Sequence, residues 1–216
     1  MRPKVKICGV TCAEDARLAV ELGADYLGLN FHPPSPRYVD PERAREIARR
    51  VRGGSAAGRV GLVGVFVNRP RAEVEEIAET VGLDRVQFHG DEGADEIAPF
   101  ADRALKVLRV RGRLDAPAAA GWQGVWGLLL DTRHPRLYGG SGESWDFASL
   151  GRAERLHPRL FLAGGLGPGN LGAALAARPW GIDLCSGVES RPGRKDRRLL
   201  EQLFEEIEHG ASPSAA

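Results

Sequence analysis

Residues 5–31 read VKICGVTCAEDARLAVELGADYLGLNF, and this stretch sets the class of fold. VKICGV at 5–10 and YLGLNF at 26–31 are short, branched, apolar runs with the look of strands. Between them, AEDARLAVELGA places Ala16, Leu18, Ala19 and Leu22 along one side of a helix, with Gly23 as its stop. Strand, helix and strand in this order form a unit whose two strands lie parallel.

The pattern continues outward. Further strand-like runs are GLVGVFVN at 61–68, RVQFHG at 85–90, ALKVLRV at 104–110, GVWGLLLD at 124–131, RLFLAGG at 159–165 and GIDLCSG at 181–187, which makes eight in all. PERAREIARRV begins on Pro41 behind a capping Asp40, RAEVEEIAETVG repeats the helical spacing, and DRRLLEQLFEEIEHG closes the series before Gly210. The segments between strands 4 and 5 and between strands 5 and 6 are weaker helices, interrupted by Pro99 and Pro117. Eight strands alternating with helices predict a parallel α/β sheet closed into a single-domain (β/α)8 TIM barrel over residues 1–209. An open doubly wound sheet is disfavoured because no GxGxxG follows the first strand. The tail GASPSAA at 210–216 is expected to be disordered.

Composition narrows the partners. The 30 Lys and Arg residues balance 29 Asp and Glu, so there is no basic surplus to neutralise a nucleic-acid backbone. A small molecule or another protein is the expected partner, with no nucleic acid. No apolar run reaches the roughly 18–20 residues of a membrane span, and the N-terminus lacks the charged-then-apolar design of a signal peptide. Three cysteines, Cys8, Cys12 and Cys185, are an odd number in a chain too large to need staples, which fits a reducing, cytoplasmic setting. Cys8 and Cys12 have no matching Cys/His pair downstream, so no metal site is expected.

In a barrel the active site lies at the C-terminal ends of the strands. Those ends carry Cys8, Asn30, Asn68, His89, Arg109, Asp131, Gly164 with Gly165, and Ser186 with Gly187. Alternation puts Lys6 on the face of Cys8, Gln87 on that of His89, and Asp183 on that of Cys185. Because strands 1 and 8 are neighbours in a closed barrel, Lys6 and Asp183 are expected to pair inside it. LAGGLGPGN after strand 7, with a helix start marked by Pro168, and CSGVES after strand 8 are glycine turns suited to phosphate. Arg37 sits in the proline-stiffened loop HPPSPRYV, where a planar guanidinium suits a carboxylate or phosphate. The long loop DTRHPRLYGGSGESWDF after strand 6 is suited to fold over a substrate, with Trp145 and Phe147 as alternative core anchors. His32, His134 and His157 lie beside prolines in loops and are read as surface residues.

The ordered set KICGVT, FHPPSPRYV, GVFVN, QFHGDE, LLLDT, GGSGESWDF, LAGGL and DLCSGVESRPGRKD closely resembles phosphoribosylanthranilate isomerase, over residues 4 to about 208. The resemblance implies an enzyme of tryptophan biosynthesis. Such an enzyme converts N-(5-phosphoribosyl)anthranilate to 1-(2-carboxyphenylamino)-1-deoxyribulose 5-phosphate by an Amadori rearrangement, without metal or organic cofactor; barrels of this kind can be monomers or homodimers. The resemblance also implies Cys8 as general base, Asp131 as general acid, Arg37 on the anthranilate carboxylate, His89 in substrate positioning, and Gly164, Gly165, Ser186 and Gly187 around the phosphate. For these roles Asp131 must be protonated and Cys8 ionised at neutral pH, so the surroundings must shift both. Gly9 then reads as space for substrate beside Cys8, and Cys12 as a small packing or surface residue.

This chain departs from the pattern in three places. Cys185 and Ala163 stand where serine is expected, and Asn30 where an apolar residue is usual. Two other readings of the same residues are another sugar-phosphate barrel, such as an epimerase or an aldolase using Lys6 as a Schiff base, and a phosphate-binding or assembly barrel without chemistry. The joint presence of Cys8 and Asp131 argues against the second.

Overall fold

The structure is a computed structural model that describes residues 2–53, 60–110, 119–131 and 155–210. Eight parallel strands close into a barrel in sequence order. They are β1 (Lys4–Ile7), β2 (Tyr26–Asn30), β3 (Gly61–Phe66), β4 (Arg85–Phe88), β5 (Ala104–Arg109), β6 (Gly127–Asp131), β7 (Leu160–Ala163) and β8 (Gly181–Leu184). The seam is β1 against β8, with Lys6 opposite Asp183 and Ile7 opposite Leu184. The eight predicted strands are therefore all present, in a closed order.

Helices α1 (Ala13–Glu21), α2 (Pro41–Arg52) and α3 (Arg71–Val81) follow the first three strands. Asp40 caps α2 by accepting from the Arg43 N–H at 2.8 Å, as its place before Pro41 predicts. After β4 the helix shrinks to α4 (Ala94–Ile97) and a 3₁₀ turn through Pro99, because proline supplies no N–H to continue the ladder. The helix after β7, α5 (Leu171–Ala176), begins behind Asn170 rather than at Pro168, which instead lies in a turn. The last helix, α6 (Arg197–Gly210), takes in Gly210, one residue beyond the end that the sequence predicts. Between β8 and α6 lies a small antiparallel pair that periodicity did not reveal, β9 (Glu189–Arg191) and β10 (Arg194–Lys195). Pro117, His134, Trp145, Phe147, the long loop after β6 and residues 211–216 lie outside the described residues.

Strand alternation divides the core. Val5, Ile7, Leu27, Leu29, Leu62, Phe66, Val86, Phe88, Leu128, Leu130, Leu160, Leu162, Ile182 and Leu184 pack outward against the helices. Inside, Leu105, Val107, Leu129, Phe161 and Ala163 pack with Trp126, closed below by Tyr26 and Trp180 in edge-on contacts such as Phe161 to Trp180 at 5.1 Å. The N-terminal rim is held by aspartates: Asp25 accepts from the Val5 N–H and Asp84 from the Leu62 N–H. This leaves the other half of the interior, facing the strand C-termini, to polar side chains.

His157 corrects the sequence reading. It is buried, its Nδ1 accepts from the Arg159 N–H at 3.0 Å, and burial holds its imidazole below the ordinary histidine range. Its neighbouring Pro158 suggested an exposed loop, but the turn enters β7 and folds the ring inward.

Candidate active site

The strand C-termini enclose a cavity of about 200 Å³. Cys8, Arg37, His89, Asp131, Gly164, Gly165 and Ser186 all line it, together with Asn30, Ser35, Gln87, Asp183 and Cys185. Of the strand-end residues singled out from sequence, Asn68, Arg109 and Gly187 stand back from the wall; Asn68 accepts from the Asp91 N–H, Arg109 donates to the His89 carbonyl, and Gly187 acts through packing. A Cβ at Gly187 would run into the Leu166 carbonyl oxygen, and one at Gly167 would lie 2.8 Å from the Gly187 oxygen. The turns after β7 and β8 thus press backbone against backbone, which brings Gly165 and Ser186 to one side of the cavity.

Cys8 sits one residue beyond β1 and above Lys6. Lys6 is fully buried and its Nζ donates to Asp183 Oδ1 at 2.8 Å, the expected interior pair. Burial alone would lower the Lys6 pKa, but the charges of Asp183 and Cys8 outweigh it and raise the ammonium above the ordinary lysine value. Burial likewise pushes the Asp183 carboxyl up to about 7 against the pull of Lys6, with the Cys8 charge adding to the rise. A lysine held so firmly protonated is poorly suited to form a Schiff base, which needs a free amine. The aldolase reading loses its nucleophile.

Cys8 itself is held well below the usual thiol range. The first cause is a hydrogen bond from Cys185, followed by Lys6 and Lys195, which together overcome the opposing effect of burial. The Cys185 thiol is pushed up in return, because it donates to Cys8 and is itself desolvated. The serine-to-cysteine departure therefore falls directly on the candidate base.

Across the cavity, His89 Nε2 lies 3.3 Å from Asp131 Oδ2, and His89 Nδ1 lies 3.2 Å from the Gln87 amide nitrogen. With that amide donating, Nδ1 accepts and Nε2–H points at Asp131. The loop bearing His89 is anchored by Glu92, a buried carboxylate that accepts from the Gly90 and Asn68 N–H groups and pairs with buried Lys106 at 3.2 Å.

Arg37 does not stand alone. Its Nε and Nη2 clasp Glu189, with the shortest contact at 2.6 Å, and this hydrogen bonding raises its pKa. Asn30 explains its own departure here: its Oδ1 accepts from the His32 N–H at 2.8 Å and its Nδ2 donates to Ser35 Oγ, which accepts from the Arg37 N–H. An apolar residue could not fasten the loop in this way. The space at Gly9 is likewise taken by protein, since a Cβ there would lie 2.5 Å from Arg37 Cδ and 3.1 Å from Cys185 Sγ. Gly9 makes room for Arg37 rather than for substrate.

The sequence did not single out Ser35 in the cavity wall, nor Glu189 and Lys195 behind it. Lys195 Nζ donates to the Cys8 carbonyl at 2.5 Å and to Glu189 at 2.8 Å, and Glu189 also holds Arg37. The chain from Arg37 through Glu189 and Lys195 to Cys8 ties the loop after β2 to the end of β1. The available signal was Pro192-Gly193 between charged residues, a turn that brings Glu189 and Lys195 together. Cys12 is buried at the start of α1, with its sulfur 2.9 Å from Arg194 Nη1, and keeps its packing role.

Comparison with known proteins places this geometry. The family model described as N-(5'phosphoribosyl)anthranilate (PRA) isomerase matches residues 5–206. The N-(5'-phosphoribosyl)anthranilate isomerase of Citrifermentans bemidjiense is 43% identical over 206 residues, covering 94% of this chain and 96% of that protein. That of Acidithiobacillus ferrooxidans is 44% identical, with 94% and 97% covered. The crystal structure of phosphoribosyl anthranilate isomerase from Thermotoga maritima superposes with a TM-score of 0.86 at 36% identity, covering 96% of this chain and 99% of that one. A phosphoribosyl anthranilate isomerase in complex with reduced 1-(o-carboxyphenylamino)-1-deoxyribulose 5-phosphate superposes at 0.83 with 33% identity and the same coverage. The fold, the loaded strand ends and these matches along nearly the whole chain agree, and the chain belongs to the N-(5'-phosphoribosyl)anthranilate isomerase family.

Proposed function

We propose that the cavity at the barrel mouth carries out the family's isomerisation by acid–base catalysis, with Cys8 as the base and Asp131 as the acid. The reaction is the Amadori rearrangement of N-(5'-phosphoribosyl)anthranilate to 1-(2-carboxyphenylamino)-1-deoxyribulose 5-phosphate in tryptophan biosynthesis. The observation that carries the assignment is the Cys8 thiol over a buried ammonium, facing a carboxyl across one cavity.

The steps follow from these positions. Asp131 gives a proton to the furanose ring oxygen, the C1–O bond breaks, and the aniline nitrogen lone pair completes an iminium ion. The Cys8 thiolate removes the proton from C2, and the electrons flow to the nitrogen to give an enolamine. Protonation at C1 and loss of the C2 hydroxyl proton yield the ketone. His89 steadies the Asp131 carboxyl, and Gln87 fixes the orientation of His89. Arg37, braced by Glu189 through Nε and Nη2, retains Nη1 for the anthranilate carboxylate. The turns at Gly164, Gly165, Ser186 and Gly187 receive the phosphate.

The test is the loss of fluorescence from freshly made phosphoribosylanthranilate on adding the purified chain, together with rescue of a tryptophan auxotroph lacking this isomerase. Absence of both refutes the assignment. The phosphate turns give a separate prediction. Gly187→Ala drives a methyl group into the Leu166 carbonyl, a clash that the turn must relieve by moving. A cost of about 1–3 kcal/mol in packing, placed at the phosphate turn, is expected to raise KM by about 10- to 100-fold with a smaller fall in kcat. Steady-state kinetics separate the two, and an unchanged KM removes the turn from the site.

The same reading has the chain acting in the cytoplasm on a small phosphosugar, as a monomer or a homodimer. It is supported by the near-balanced charge and by the fact that, among the described residues, no helix is long and apolar enough to cross a membrane. A solved relative is described as monomers generated from the dimeric Thermotoga maritima enzyme. Sedimentation velocity decides between the two states.

A further inference from the structure

We propose that Cys8 and Cys185 form a peroxide-sensitive dithiol, which closes reversibly into a disulfide across the mouth of the barrel seam. Three structural observations carry it. First, Ile7 is opposite Leu184 in the parallel ladder and the Cys8 N–H donates to the Leu184 carbonyl at 2.8 Å, so Cys8 and Cys185 occupy facing positions just beyond it. Neighbouring strands lie about 4.7–4.9 Å apart, inside the roughly 4.4–6.8 Å between α-carbons that a disulfide accepts. Second, both side chains line the same cavity, and Cys185 Sγ lies against Gly9, the residue next to Cys8. Third, Cys8 lies over the buried Lys6 ammonium, and Lys195 holds the Cys8 carbonyl from beside it.

This arrangement separates the two sulfurs into an attacker and a resolver. The Cys8 thiolate attacks one oxygen of hydrogen peroxide, the O–O bond breaks, and hydroxide departs, leaving Cys8 as a sulfenic acid. The Cys185 sulfur then attacks the Cys8 sulfur, the S–O bond breaks, and the departing hydroxide takes the Cys185 proton as water. Peroxide is reduced by two electrons and the two thiols are oxidised by two. A thiol reductant reverses the cross-link by exchange. A serine at position 185 could hydrogen-bond to Cys8 but could not form this bond, so Cys8 would be left to the irreversible sulfinic acid. Cys12 is turned to other partners, with Arg194 on its sulfur.

The activity readout rests on Cys8 being the base, whereas the cross-link is read by mass and stands apart from that assignment. The full-length protein is treated with hydrogen peroxide, quenched with catalase, alkylated, and digested without reduction for mass spectrometry. A Cys8–Cys185 cross-linked peptide pair is expected, with isomerase activity lost in parallel and restored by dithiothreitol. Cys185→Ser and, as a second variant, Cys185→Ala, each normalised to its own untreated activity, are expected to lose activity that dithiothreitol does not restore, with Cys8 recovered as sulfinic acid. Cys12→Ser should behave as wild type. The proposal is overturned if Cys8 in the treated wild type stays reduced, proceeds to sulfinic acid, or links to Cys12 or to a second chain. If the Cys8–Cys185 link forms while activity persists, the dithiol stands and the role of Cys8 as base does not.

Discussion

Cys8→Ser and Asp131→Asn each lower kcat for phosphoribosylanthranilate by about 10²- to 10⁴-fold, the usual worth of one positioned acid or base, while KM changes little. The two substitutions remove protons differently. A serine hydroxyl is so much weaker an acid than a thiol that neither the Lys6 charge nor the Cys185 hydrogen bond can ionise it, although it fits the same space. Asparagine at 131 keeps the shape beside His89 but has no acidic proton for the ring oxygen. The pH dependence adds a check that a loss of folding would not mimic. Because Cys185 and Lys6 hold the wild-type thiol well below its ordinary range, iodoacetamide should alkylate Cys8 readily at mildly acidic pH, where an unperturbed thiol reacts slowly. Variants that turn over at the wild-type rate, measured by loss of substrate fluorescence, would end the assignment of Cys8 and Asp131 as base and acid.

The barrel and its mouth were legible because strand alternation is local. VKICGV places Lys6 and Cys8 on one face whatever follows, and the closed strand order then brings Lys6 against Asp183, 177 residues away. What was not legible depends on loops meeting over the barrel. Glu189 and Lys195 are charged residues in a charged stretch, and their roles exist only because β9 and β10 bring them to the end of β1 and to Arg37 in the loop after β2. Gly9 was read as room for substrate for the same reason: nothing local shows that Arg37, 28 positions later, fills that space. His157 failed in the opposite direction, since a proline neighbour marks a turn but says nothing about which way the ring points. The serine-to-cysteine change at 185 was visible in the sequence, yet its consequence needed the seam. Only with β8 beside β1 does the second thiol reach the first.

Lys6→Met is expected to cost about 3–5 kcal/mol of stability, because it strands the Asp183 carboxyl in the barrel interior without its cation. The sign of its pH dependence follows from the carboxyl. Asp183 already titrates at about 7 in the folded chain, above its ordinary value of 3.8, and losing Lys6 removes a charge that holds it down. A group whose folded pKa is raised gives stability that is fully present below the unfolded pKa and disappears as pH rises through the folded one. Urea melts of Lys6→Met should therefore show the smallest deficit near pH 4 and a growing one above pH 7. The double variant Lys6→Met/Asp183→Leu replaces both charges with apolar groups and is expected to recover most of the stability, since a buried ion pair exchanged whole is often neutral. It should not recover the rate. Without an ammonium below it, the Cys8 thiolate loses its main cationic support, so the alkylation profile of Cys8 moves to higher pH and kcat at neutral pH falls. A double variant with wild-type turnover and an unmoved Cys8 profile would make the Lys6–Asp183 pair a structural tie alone. Stability regained with the base still silenced assigns the pair to tuning the thiol.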